Sequence, residues 1–132
     1  MDDLYRDRIL DHYRHARNKG SLTPADISCQ EDNPLCGDQV RFDLRLDASG
    51  RITEVAWDGR GCAISMASAS LLSERIKGGT LGELCHLGKD QVLELLGIEL
   101  GPIRINCAML ALTALQSGAC GQTDWPEEDE GF

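Results

Sequence analysis

Tyr5, Ile9, Tyr13 and Ala16 recur at spacings of four, four and three. That period places them on one face of a helix running from Leu4 to about Arg17. Asn18-Lys19-Gly20 closes it, since glycine readily enters the left-handed conformation found at helix ends. A polar stretch without a readable period continues to Asn33. Val40, Phe42, Leu44 and Leu46 then alternate with Gln39, Arg41, Asp43 and Arg45, the period of two expected of a strand with one buried face. Asp47-Ala48-Ser49-Gly50 supplies a turn and Ile52 to Trp57 a second strand, so the pair reads as an antiparallel hairpin. Asp58-Gly59-Arg60-Gly61 is expected to break that strand.

From Ala63 to Lys77 the chain is rich in Ala, Ser and Leu, which predicts a helix beginning beside Cys62 and stopped by Gly78-Gly79. Thr80 and Glu83 have the spacing of a capping box and open a short helix containing Leu81 and Leu84. A further short helix is expected over Val92 to Leu96. After Gly101-Pro102, the positions Cys107, Leu110, Ala111, Ala114 and Leu115 form a buried helical stripe that ends near Gly118. Strands early and helices late predict an α+β fold, a small antiparallel β-sheet covered on one side by helices. One domain over residues 1–122 is expected, followed at 123–132 by an acidic, solvated and disordered tail.

Charge narrows the class of partner. The formal net charge is −9, and Asp124, Glu127, Glu128, Asp129 and Glu130 supply five of the negatives, leaving the rest mildly acidic. Nucleic acid is not an expected partner, because its binding depends on clustered Lys and Arg to neutralise phosphates. No apolar run reaches the length of a bilayer span, so no membrane is expected either. Met1-Asp2-Asp3 opens a segment alternating acids with arginines, unlike a secretory signal, and the expected compartment is cytoplasmic. In that reducing setting the six cysteines read as buried thiols, metal ligands or reactive sulfurs rather than as a disulfide framework.

Three cysteines sit at predicted element ends: Cys36 in Cys36-Gly37-Asp38 before the first strand, Cys62 between strand and helix, and Cys107 near the start of the last helix. The positive end of a helix stabilises a thiolate, the form that ligates metal or attacks sulfur. Three thiolates with the Asp38 carboxylate would suit zinc, and thiolates equally suit iron-sulfur chemistry. Spacing alone leaves this open, since the sulfurs lie 26 and 45 residues apart with no C-x-x-C pair. Cys107 also fits a plain buried position on its apolar stripe. His12 reads as a structural histidine beside the apolar face of the first helix and His15 as solvent-facing. Cys85-His86 reads as packing with helix-end charge, and Cys29 and Cys120 as peripheral. Gly59-Arg60-Gly61 gives a tight turn rather than a dinucleotide fingerprint. No histidine begins the H-x-E motif of the zinc deaminases.

At these residues the sequence resembles a known family. Asn33-Pro34-Leu35-Cys36-Gly37-Asp38 and Gly61-Cys62-Ala63-Ile64-Ser65-Met66-Ala67-Ser68-Ala69-Ser70 are similar to the SufU branch of the IscU/NifU-like family. Ile9-Leu10-Asp11-His12-Tyr13, Arg17-Asn18-Lys19-Gly20 and Arg104-Ile105-Asn106-Cys107-Ala108 extend the resemblance from about Leu4 to Gly118. It implies the SufE/IscU-like scaffold fold and a resting zinc site made of Cys36, Asp38, Cys62 and Cys107. It also implies a place in iron-sulfur cluster assembly beside a pyridoxal-phosphate cysteine desulfurase of the SufS type, with downstream assembly or apo-acceptor proteins. On this reading Cys36 accepts persulfide sulfur, Asp38 tunes the site and Arg104, which matches a SufU arginine, assists.

Two alternatives use the same four residues. In one they hold a [2Fe-2S] cluster or iron, and the protein is a scaffold that assembles and transfers the cluster. In the other they form a structural zinc-binding interaction domain. None of the three is a stand-alone enzyme. Asn106 stands where the scaffold branch has a histidine ligand and the SufU branch a basic residue. The stretch from Cys62 to Cys107 lacks the insertion usual in SufU-like chains.

Overall fold

The computed structural model describes residues 2–33 and 37–120. Cys36 and the acidic segment 123–132 lie outside the described residues. The elements run α1 (Asp2–Arg14), β1 (Ile27–Asn33), β2 (Asp38–Leu46), β3 (Ile52–Arg60), α2 (Ala63–Ile76), α3 (Leu81–Cys85), α4 (Lys89–Leu96) and α5 (Pro102–Ala119). The three strands form one antiparallel sheet in the order β1-β2-β3. Helices α2 and α5 pack on the sheet and on each other, α1 packs on α2, and α3 and α4 pack on α5. The architecture is the α+β arrangement expected from the pattern of the chain.

The alternation in β2 buries Val40, Phe42 and Leu44 against the helices, and Phe42 stands opposite Trp57 in β3. All five positions of the predicted stripe on α5 are buried. The core is thus continuous from the inner face of the sheet through α2 and α5. Thr80 and Glu83 make the reciprocal capping box at the start of α3, satisfying two amide donors that the helix start leaves without partners.

Several elements differ from the sequence reading. The polar stretch before Asn33 contains a strand, β1, in which Ile27 and Cys29 face the helices while the other positions are polar. It pairs with β2 along its full length, from Ile27 opposite Leu44 to Asn33 opposite Asp38. An edge strand needs little apolar content when backbone pairing on one side carries it. Strand β3 does not break at Asp58 but continues to Arg60, because Val40 in β2 pairs opposite Gly59. A Cβ at Gly59 would lie 2.3 Å from the Gln39 carbonyl oxygen, so the missing side chain permits the pairing. Tyr13, expected on the buried face of α1, is 47% exposed, and Ile9 is the buried anchor of that face.

The cysteines correct a further expectation. Cys85 and Cys120 form a disulfide with Cα atoms 5.7 Å apart, tying the end of α3 to the end of α5. Their 35-residue separation is bridged by the packing of α3 on α5. Gln116 reinforces the same junction by donating from Nε2 to the carbonyls of Leu84 and Leu87.

Buried serines on α2 join the first helix to the core. Ser70 Oγ lies 2.7 Å from His12 Nδ1 and accepts from the Arg17 amide at 2.9 Å. Ser73 Oγ accepts from Asn18 Nδ2 at 3.0 Å. Asn18 and Gly20 also bond to the backbone of Trp57, which covers the free edge of β3. Asp43, on the outer face of β2, is nevertheless buried because Leu22 N, Ser28 Oγ and Arg41 donate to its carboxylate.

Candidate metal centre

Asp38, Cys62 and Cys107 come from three elements and meet in one place. Asp38 opens β2, Cys62 caps the amino terminus of α2, and Cys107 lies in the second turn of α5. One carboxylate oxygen and the two sulfurs all lie within 4.8 Å of one another. Among the described residues this is the one group of three or more His, Cys, Asp or Glu side chains that converges in this way. Asp38 and Cys107 are buried and Cys62 is exposed, so the group opens to solvent on the Cys62 side.

The local chain explains the convergence. Strands β2 and β3 pair up to Gln39 opposite Arg60, which brings Asp38 beside Gly61 and Cys62. A Cβ on Gly61 would stand 2.5 Å from Asp38 Cγ, so the carboxylate occupies space that only glycine leaves free. The Ser65 hydroxyl donates to Asp38 Oδ2 and lies 3.5 Å from Cys62 Sγ. Cys36 lies outside the described residues. Its neighbour Gly37 donates from its amide to the Asn33 carbonyl at 2.8 Å, closing the hairpin that leads into Asp38.

Cys62 sits at a helix start, as the sequence predicts, and Cys107 does not. Helix α5 begins at Pro102, so Cys107 is five residues into it, beyond the first turn where the dipole acts. Arg104 and Asn106 are exposed on α5 ahead of it. The histidines stay apart from this group: His12 is 5% exposed and bonded to Ser70, His15 is exposed, and His86 Nδ1 bonds the Gly82 carbonyl at 2.7 Å. Cys29 is also separate, and burial, with the Asp43 charge nearby, pushes its thiol up to about 11. A cleft of about 290 Å³ lined by Arg75, Thr80, Glu83, His86 and Gln91 borders none of the converging residues.

Sequence reasoning did not single out Ser65. The available signal was its place three residues after Cys62, one helical turn along the same face.

Two soft sulfurs and one hard oxygen are a donor set that fits zinc, and three such ligands leave a tetrahedral position for a fourth. The fold and the site together define a small α+β protein with a sulfur and carboxylate centre at one end of the sheet. A family model described as the NifU-like N terminal domain matches residues 4–124. The zinc-dependent sulfurtransferase SufU of Bacillus subtilis is 38% identical over 136 residues, covering 89% of this chain and 90% of its own. The iron-sulfur cluster assembly scaffold protein IscU of Haemophilus influenzae is 33% identical over 116 residues, covering 86% and 90%. In fold, a protein of Fervidobacterium islandicum described as a scaffold candidate for the SUF system superposes with a TM-score of 0.76 at 23% identity, covering 86% of this chain and 94% of its own. The chain therefore belongs to the NifU-like N-terminal domain family of iron-sulfur cluster assembly proteins, which takes in both SufU and IscU relatives.

Among the described residues no helix is long and apolar enough to cross a membrane.

Proposed function

We propose that this protein is a sulfur acceptor of iron-sulfur cluster assembly, with zinc held in the resting state by Cys36, Asp38, Cys62 and Cys107. The observation that carries the reading is the convergence of Asp38, Cys62 and Cys107 within 4.8 Å. Cys36 is two residues from Asp38, a reach of at most about 7 Å along the chain, so it is the natural fourth donor. The name of the 38% identical relative, a zinc-dependent sulfurtransferase, supports the same reading. Zinc, when bound, would hold its cysteine ligands as thiolates at neutral pH.

The chain's own residues supply the rest. Cys36, as thiolate, attacks the terminal sulfur of a persulfide carried by a pyridoxal-phosphate cysteine desulfurase of the SufS type. A new sulfur-sulfur bond forms at Cys36, the donor's sulfur-sulfur bond breaks, and the donor cysteine leaves as thiolate. One sulfane sulfur moves with no net oxidation. Arg104, exposed one turn before Cys107 on the same helix, offers a guanidinium to the negative sulfur or to the partner. The sulfur then passes to downstream assembly or apo-acceptor proteins in the cytoplasm.

Desulfurase turnover with L-cysteine tests this reading. The protein is expected to accelerate release from the persulfide state, and Cys36→Ala to remove the acceleration. Equal acceleration by that variant would contradict it. A second reading, a scaffold for a [2Fe-2S] cluster, draws support from the 33% identical relative named a scaffold. Anaerobic reconstitution separates the two: a stable cluster that passes to an apo-ferredoxin favours the scaffold. Asn106, exposed beside Cys107 and neutral, speaks against a cluster ligand at the position where the resemblance implies a histidine.

A further inference from the structure

We infer that Ser65 is the positioning residue of this centre, orienting the Asp38 carboxylate so that one of its oxygens faces Cys62 and Cys107; the inference rests on the metal-centre reading above. Ser65 is fully buried in the first turn of α2. A buried helical serine commonly bonds back to a carbonyl of its own preceding turn, as Ser73 does to Ser70 O at 2.6 Å. Ser65 instead donates to Asp38 Oδ2, 27 residues away on another element. Ser65 Oγ also lies 3.5 Å from Cys62 Sγ, so one hydroxyl touches two members of the converging group.

Ser65 is one of the partners of a buried carboxylate. Asp38 is 4% exposed, and a buried carboxylate is tolerated only when its oxygens are bonded. Gly61 lies hard against the other side, where an added Cβ would stand 2.6 Å from Oδ1. The carboxylate thus lies between a glycine backbone and a serine hydroxyl. Orientation of a ligand by such a neighbour is typically worth about tenfold to a hundredfold in metal affinity.

The test is zinc affinity of the full chain by competition with a chromogenic chelator, together with the absorption spectrum of the cobalt-substituted protein. Ser65→Ala is expected to weaken zinc binding about tenfold or more and to alter the cobalt ligand-field bands. Ser73→Ala removes an equally buried hydroxyl from the far end of α2 and sets the scale of a purely structural effect. In an Asp38→Ala background, Ser65→Ala is expected to cost little further affinity, since the group it orients is gone. A loss no greater than that of Ser73→Ala, or an undiminished loss in the Asp38→Ala background, would overturn the role of Ser65. Wild-type protein that takes up neither zinc nor cobalt would instead overturn the reading of the site itself, and the inference with it.

Discussion

Gly61 and Asp38 fill one space between them. Because a Cβ at Gly61 would meet Asp38 Cγ at 2.5 Å, Gly61→Ala must displace the carboxylate. Zinc affinity measured by chelator competition is expected to fall roughly tenfold or more, the scale of disturbed ligand orientation; unchanged affinity would show that Asp38 does not bind. Reactivity separates the sulfurs as well. Cys62 is exposed, whereas burial raises the Cys29 thiol to about 11. In metal-free protein near neutral pH, alkylation followed by peptide mapping is expected to label Cys62 well before Cys29. His12 gives a pH signature. Burial, opposed in part by Glu74, lowers its pKa below the ordinary 6.5, so the unfolded chain binds the proton first as pH falls. Its stability contribution is present above about pH 6.5 and is lost as pH falls through that value towards the lower folded pKa. His12→Gln is expected to flatten the unfolding midpoint between about pH 7 and pH 5 relative to wild type. At this scale the sequence marks Cys36, Asp38 and Cys62 beside glycines and His12 as structural, whereas Cys107, on an apolar stripe, reads equally well as a plain buried position. Ser65 stands three residues after Cys62, but that spacing alone does not tell a serine facing a carboxylate from one facing its own helix.

Among the elements, strong periodicity was enough. The alternating run of β2 and the stripe of α5 were legible because each buries one continuous face. Strand β1 was not, since its partner rather than its composition makes it a strand, and the extension of β3 depends on Gly59 meeting β2. The Cys85–Cys120 link was equally hidden, because it follows from α3 packing against the end of α5. Close approach also joins α5 to β1: a Cβ on Gly118 would stand 2.3 Å from Cys29 Cβ. Gly118→Ala is therefore expected to destabilise the fold by about 1–3 kcal/mol, the usual cost of overpacking a core contact. Denaturant unfolding measures that loss, and zinc affinity of the folded variant is expected to stay close to wild type. A change confined to zinc affinity would mean that this contact serves the centre rather than the fold.

For the molecule as a whole, the start of β2 and the helices α2 and α5 bring the Asp38 carboxylate and the sulfurs of Cys62 and Cys107 together, while a core running through the sheet and both helices supports them. That core predicts that the metal-free protein keeps its helical circular dichroism after chelation and loses sulfur acceptance, whereas a structural zinc domain would unfold. The proposed transfer places the incoming sulfur on Cys36. Its most direct measurement is peptide mass spectrometry, without reductant, of zinc-loaded protein after reaction with a cysteine desulfurase and L-cysteine. One added sulfur is expected on the peptide carrying Cys36, and none on the Cys36→Ala protein. Sulfur found solely on Cys62 or Cys107, or taken up equally by Cys36→Ala, would contradict it.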